Sequence, residues 1–291
     1  MSVIDDIREA PELHRWLIGA ELGHGGMGIV YHATDRETGE RCALKILTAG
    51  ADAAAHVRRE IENSRRLEHP NIVRTHASGL ASGIPYLAME LCPHGNLVTR
   101  VRERGPLPAE QAVPLITQVL AGLEYAHAAP VTAIDVRGRQ VETNGLVHRD
   151  IKPPNILLAG AGDIAKVADF GLAKAFHLAG LSGLTHTGNS AGTPAFMPRQ
   201  QVIDFKYATP AVDVWAAAAT LYFALTAHTP RDFRPDRDPW LTAWRGRRVP
   251  IRDRGVPVPA RLATTLDEAL ADDPELRYGT AAELRAALET A

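Results

Sequence analysis

The sequence predicts an α+β chain built as two lobes, a strand-rich first third followed by a helix-rich remainder. Three observations carry that prediction. From Leu22 to Ile46, apolar and β-branched residues are punctuated by glycine and by a turn at Arg36-Glu37-Thr38-Gly39, the pattern of successive antiparallel strands. Beyond Pro93 the texture changes, and Ala109 to Ala128 carries Val113, Ile116, Leu120, Leu123 and Ala126 at helical spacing. Between these regions, Glu90 to Gly95 reads as a hinge.

The remaining elements follow in order. Ala53 to Leu67 reads as a helix rich in Arg and Glu, and Ile72–Thr75 and Tyr86–Met89 as two further strands. Helical patterns return at Val212–Thr226, Ala260–Leu270 and Ala281–Leu288. The longest apolar run, Val214 to Ala227, has 14 residues. That is short of the ~20 a membrane-spanning helix needs, so it reads as a buried core helix. There is no internal repeat and no long linker. Residues 1–291 therefore read as one unit, with a first lobe at 16–91, a hinge at 90–95 and a second lobe at 93–288.

Composition narrows the function classes. Lys and Arg number 32 against 34 Asp and Glu, a formal charge of −2 that gives no general attraction for nucleic acid or an anionic membrane. Two cysteines, Cys42 and Cys92, cannot make a disulfide framework and suggest a reducing compartment. The N-terminus lacks an apolar leader run, so a cytoplasmic location is expected, with no membrane segment. The 12 histidines do not cluster with metal-ligand spacing.

Gly23-His24-Gly25-Gly26-Met27-Gly28-Ile29-Val30 matches G-x-G-x-x-G-x-V. The same glycines can open a dinucleotide site, but there the loop feeds a helix, whereas Ile29-Val30-Tyr31 reads as the second strand of a hairpin. Glycines at a hairpin tip let backbone N–H groups approach phosphates. Cys42-Ala43-Leu44-Lys45 places one ammonium in an apolar strand, where it needs an anionic partner. Nucleotide phosphates would serve, with Glu60 as the carboxylate that fixes the lysine. On its own, Glu60 reads rather as a solvated charge on a charge-rich helix.

His148-Arg149-Asp150-Ile151-Lys152-Pro153-Pro154-Asn155, followed by Ala168-Asp169-Phe170-Gly171, completes an ordered set. With H-R-D-x-x-x-x-N and D-F-G after the glycine loop and the strand lysine, the chain resembles the eukaryotic-type (Hanks-type) Ser/Thr protein kinases, most of all bacterial members. The resemblance implies a bilobal protein kinase fold and transfer of the ATP γ-phosphate to Ser/Thr hydroxyls of proteins, in signalling. It implies catalytic roles for Asp150, Lys152, Asn155, Lys45 and Glu60, and Mg²⁺ (or Mn²⁺) held by Asn155 and Asp169. ATP would meet Leu22, Gly23, Gly25, Gly26, Gly28, Val30, Ala43, Lys45, Met89, Glu90, Cys92 and Leu157. Met89 would guard the back of the adenine pocket, and the backbone of Glu90 and Cys92 would bond the base. Thr185 and Thr187 stand where relatives autophosphorylate a T-x-T pair, although they read also as ordinary loop threonines. Two copies pairing for trans-autophosphorylation follow by analogy alone. A scaffold that binds nucleotide and partners without transfer is the second reading, and it would be marked by loss of Lys45, Asp150 or Asp169. All three are present.

Four features depart from or extend the pattern. Gln200 stands where relatives carry a glutamate that pairs with a late arginine, here Arg277, so a weaker anchor is expected. Pro130 to Asn144 is an insertion that reads as a β-hairpin, either a tolerated surface addition or a docking element. Arg231 to Arg254 holds eight arginines and four aspartates, with Trp240 and Trp244 at i, i+4. A solvated rim around two core tryptophans is expected there, with a basic docking face as the alternative. Asp213 resembles a helix aspartate that braces the catalytic loop.

Overall fold

Alternation along the chain builds the first sheet. A computed structural model describes residues 10–48, 51–134, 139–173, 194–205, 208–271 and 276–291, so Thr185 and Thr187 lie outside the described residues. Strands β1 (Trp16–Gly25), β2 (Gly28–Asp35) and β3 (Arg41–Leu47) form a meander, and β5 (Ile84–Glu90) with β4 (Thr75–Ala81) completes an antiparallel sheet of order β1-β2-β3-β5-β4. Successive side chains of a strand point to opposite faces. Leu44 and Ile46 of β3 therefore join Trp16, Tyr31 and Ala88 in one apolar cluster. Leu47 faces the other way, into a cluster with Val57 and Ile61 of helix α1 (Ala51–Arg65) and with Leu87 and Met89. Lys45 shares the parity of Leu47, which directs it to the helix side.

The second lobe gathers around helices α3 (Ala109–Ala128) and α5 (Pro210–Thr226). The run Val214–Ala227 is a core helix as expected, with Trp215, Leu221 and Tyr222 almost wholly buried. Helices α7 (Ala260–Ala269) and α8 (Ala281–Glu289) pack on it through Leu262, Leu266, Leu284 and Leu288. The insertion forms strands β6 (Pro130–Ile134) and β7 (Gln140–Asn144), and β8 (Ile156–Ala159) with β9 (Ile164–Val167) makes a third small ladder. No helix among the described residues is long and apolar enough to cross a membrane.

Several expectations shift. The strand read at Ile72–Thr75 begins only at Thr75, because the preceding residues join the lobes instead: Val73 N–H donates to Val167 O (2.9 Å) and Val167 N–H to Asn71 O (2.9 Å). Helix α2 (Leu97–Arg104), unforeseen, starts at a capping box in which Asn96 and Thr99 bond each other's backbone N–H. Helices α4 (Arg199–Ile203) and α6 (Pro239–Arg245) were also missed. Trp240 and Trp244 are not core residues. Helix α6 buries only Ala243, Trp244 is 41% exposed under the Arg245 guanidinium, and the core tryptophans are Trp16 and Trp215. The rim is there in part: Arg234, Arg237, Arg245, Arg247 and Arg252 are exposed, whereas Arg254 bonds the Tyr222 hydroxyl and Asp232, and Arg248 donates to Asp267 O.

Candidate active site

Four elements converge between the lobes. The glycine loop closes at the Gly25–Gly28 pair, and Thr48 ties its tip down by donating from N–H to Met27 O and from its hydroxyl to Gly26 O (both 3.1 Å). Gly28 has φ +149° and lies so close to β3 that a Cβ there would stand 2.1 Å from Ile46 O. At Gly23 and Gly25 a Cβ would meet nothing within 4 Å, so their bareness leaves open space above the cleft. Packing thus requires glycine at position 28, whereas access suits it at 23 and 25.

Lys45 is 6% exposed, and its Nζ lies 2.7 Å from Asp169 Oδ1. This differs from the expected Lys45–Glu60 pair. Glu60 is buried, but its side chain stands against Gly171, where a Cβ would be 3.3 Å from Glu60 Cβ and 3.4 Å from Oε2. The D-F-G turn explains the choice of partner. Asp169 has φ +64°, a left-handed backbone that turns its carboxylate toward β3. Burial alone would raise the Asp169 carboxyl, but the charge and hydrogen bond of Lys45, with the charge of Lys152, hold it below the usual carboxylate range.

The catalytic loop is held as a hydrogen-bonded unit. Lys152 Nζ lies 2.9 Å from Asp150 Oδ2, and Asn155 Nδ2 donates to Asp150 O (2.8 Å) and Oδ2 (3.2 Å). His148 Nδ1 accepts from Asp150 N–H (3.2 Å), so its Nε2 carries the proton donated to Ala168 O (2.7 Å). That bond ties the loop to the D-F-G turn, and the Phe170 ring meets the imidazole edge-on at 4.7 Å. Asp213 of α5 braces the loop from below, as the sequence suggests. It accepts from the backbone N–H of His148 and of Arg149 (2.7 Å each) and from His127 Nε2 (2.8 Å). Burial would raise its carboxyl, yet the hydrogen bonds from His127 and from the loop backbone hold it low. Arg149 sits at φ +69° within this brace, and burial pushes its guanidinium down.

The apolar part of the cleft contains Met89, Cys92 and Leu157 in one cluster with Ala168 and Leu172. Ala43 lies opposite Met89 in the sheet register, and Val30 opposite Lys45. Leu22 adjoins Val30 on β1 and is 52% exposed. The Glu90 N–H donates to Arg74 O (2.8 Å), so of its backbone groups only the carbonyl can face a base. Its carboxylate bonds Lys166 of β9 (2.9 and 3.0 Å). Burial pushes the Cys92 thiol up to about 11, which suits a packing residue rather than a nucleophile. Behind Met89 a small cavity is lined by Val73, Leu87, Val167, Asp169 and Phe170.

The anchor expected between Gln200 and Arg277 takes another form. Arg277 lies over the Tyr278 ring, whereas Arg231, fully buried over Trp215, donates to Met197 O (3.2 Å). Buried Gln201 donates to Arg149 O (2.6 Å), joining this segment to the catalytic loop. Sequence reasoning missed His127, Gln201 and Arg231. Only His127 carried a signal, since it closes the apolar face of α3.

Comparison with known proteins agrees with this geometry. The family model described as the protein kinase domain matches residues 16–282. The chain belongs to the protein kinase family. Serine/threonine-protein kinase PknE of Mycobacterium bovis is 31% identical over 98% of the chain and 47% of its own length. This kinase chain thus spans about half the length of the curated relatives it matches. Among solved structures, the kinase domain of Mycobacterium tuberculosis PknI (C20A mutant) gives a TM-score of 0.64 at 26% identity, covering 95% of each chain. Rad53 residues 1–466 in complex with AMP-PNP gives 0.72 at 25% identity, over 96% of this chain and 66% of that one. The five-stranded sheet and the mainly helical second lobe are those of the kinase fold.

Proposed function

We propose that this kinase transfers the γ-phosphate of ATP to serine or threonine hydroxyls of proteins, with Asp150 as the acceptor of the hydroxyl proton. The observation that carries the reading is the junction of two clusters: Asp150, Lys152 and Asn155 on one loop, Lys45 and Asp169 on facing elements, linked by the His148–Ala168 bond. Phosphoryl transfer needs positioning and charge stabilisation more than covalent help. Lys152, bonded to Asp150, would meet the γ-phosphate beside the incoming hydroxyl. Lys45 is the cation for the α- and β-phosphates, and nucleotide entry would draw it off Asp169, with Glu60 as the carboxylate that would then steady it.

The donor set fits a hard divalent cation. Asp169 and Asn155 offer oxygen ligands, and Mg²⁺ is ordinarily held by one or two protein oxygens with phosphates and water. When bound, it would neutralise charge on the phosphates. Met89, Cys92, Leu157, Ala43, Val30 and Leu22 supply the apolar walls for adenine, and the Glu90 carbonyl and Cys92 backbone its polar edge. We also assign Thr185 and Thr187 as acceptors of autophosphorylation, supported by their place upstream of Gly192-Thr193-Pro194 and by Arg149 beside Asp150.

A transfer assay with ATP, Mg²⁺ and a generic protein substrate, followed by phosphosite mapping, tests this. Asp150→Asn should lose about 10²–10⁴-fold in kcat while keeping its affinity for nucleotide. An Asp150→Asn variant as active as the wild type would overturn the assignment. Active enzyme without phosphate at Thr185 or Thr187 would remove the loop sites.

A further inference from the structure

The inserted hairpin joins the two lobes away from the hinge. It springs from the end of α3, where Gly145 N–H donates to Ala129 O and Leu146 N–H to Ala126 O (2.9 Å each), and it leads directly into the catalytic loop. Val131 is 6% exposed and belongs to the core of the second lobe, so the base of the hairpin is fixed there. At the next residue the outer edge of β6 meets α1. Thr132 N–H donates to Asn63 Oδ1 (2.9 Å), and Asn63 Nδ2 donates to Thr132 O (3.1 Å). The carboxamide thus stands in for a peptide group and closes the strand edge as a neighbouring strand would.

Asn63 is only 2% exposed, and it lies three residues after Glu60, nearly one helical turn. At Glu60 the helix abuts the turn that follows Asp169. Gly171 has φ +76°, and a Cβ on it would lie 3.3 Å from both Glu60 Cβ and Glu60 O. No slack separates these backbones, and close-packed interiors transmit displacement rather than absorb it. A shift of α1 at Asn63 would therefore reach Gly171 and, two residues back, the Asp169 carboxylate.

We propose that Asn63 is a positioning residue: by clamping α1 to the backbone of Thr132 it fixes the Glu60–Gly171 contact, and through it the carboxylate that receives the divalent cation of the Mg²⁺–nucleotide. This gives the insertion a role in the reaction, and it rests on the kinase reading of the site. The bland alternative is that Asn63 merely satisfies the edge of a surface hairpin.

Two variants break the clamp from opposite sides. Asn63→Ala removes the carboxamide, and Thr132→Pro removes the N–H without touching α1, so the test survives if the first variant does not fold. Affinity for a non-hydrolysable ATP analogue is measured with and without Mg²⁺, below the melting temperature of every variant. The tightening produced by Mg²⁺ should shrink about tenfold in each, as for other supports of metal ligands. It should shrink no further in the double variant, because both changes break one contact. Affinity without Mg²⁺ should stay unchanged, and half-maximal transfer should need correspondingly more Mg²⁺. Wild-type Mg²⁺ dependence in folded variants would overturn the proposal, and so would an equal loss of affinity with and without Mg²⁺, which marks general loosening. A wild-type chain that binds the analogue but transfers no phosphate would sink the kinase reading instead, while the binding measurements would still decide the role of Asn63.

Discussion

Gly28 and Gly25 belong to one motif yet answer to different forces, and substitution separates them. At Gly28 a methyl group would collide with the Ile46 carbonyl and also face a φ of +149° that L-residues avoid. Gly28→Ala should therefore destabilise the chain by more than ~1 kcal/mol. Melting temperature should fall by about 2–4 °C for each kcal/mol lost. At Gly25 the added methyl meets nothing, so Gly25→Ala should leave the melting temperature unchanged and weaken nucleotide binding, as a titration with an ATP analogue would show. Equal melting temperatures for the two variants would refute the distinction. The identities of Lys45, Asp150, Asn155 and Asp169 were legible in the sequence because their chemistry leaves few substitutes. The partner of Lys45 was not. Whether that ammonium meets Glu60 or Asp169 depends on how α1 seats against Gly171, a tertiary matter that no local pattern encodes.

Helix α5 shows how an element carries charge to the site. It is apolar almost throughout, yet it buries Asp213 completely, and that carboxylate holds two other segments, the end of α3 through His127 and the catalytic loop through His148 and Arg149. Asp213→Ala should cost about 3–5 kcal/mol at neutral pH, since it strands buried donors. The sign of the pH dependence follows from the direction of the shift. The folded-state carboxyl titrates below its unfolded value near ~3.9, so the stabilisation is complete above about pH 4 and fades as pH falls through the lower folded value. Urea unfolding of wild type and variant should therefore converge in acid; a gap that widens below pH 4 would contradict this account. Long periodic elements such as α3 and α5 were readable from spacing alone, with α3 matched at both ends. The short α2, α4 and α6 were not, because five to eight residues hold too few turns to show a period, and α2 is defined by its Asn96 cap more than by its face.

Across the whole molecule, the lobes meet through more than the hinge. The Asn71–Val73 seam to Val167, the Glu90–Lys166 ion pair and the Asn63–Thr132 clamp each cross between them. Saturating Mg²⁺ and an ATP analogue should accordingly stabilise both lobes together. At 100 times Kd the gain is about 2.7 kcal/mol, read as a rise of several degrees in one calorimetric transition. Two transitions of which only one moves would show that the lobes unfold separately. The two-part texture along the chain announced the lobes, but these crossings join residues remote in sequence and left no mark on it. The left-handed backbone at Arg149 and Asp169 has a consequence for engineering. Each such residue holds about 1–3 kcal/mol of strain that the surrounding bonds must sustain. Relaxing either one would make the chain hardier while swinging a carboxylate out of register. A library of this protein selected only for heat resistance would therefore drift toward sturdier, inert chains, whereas selection on turnover would keep the strain in place.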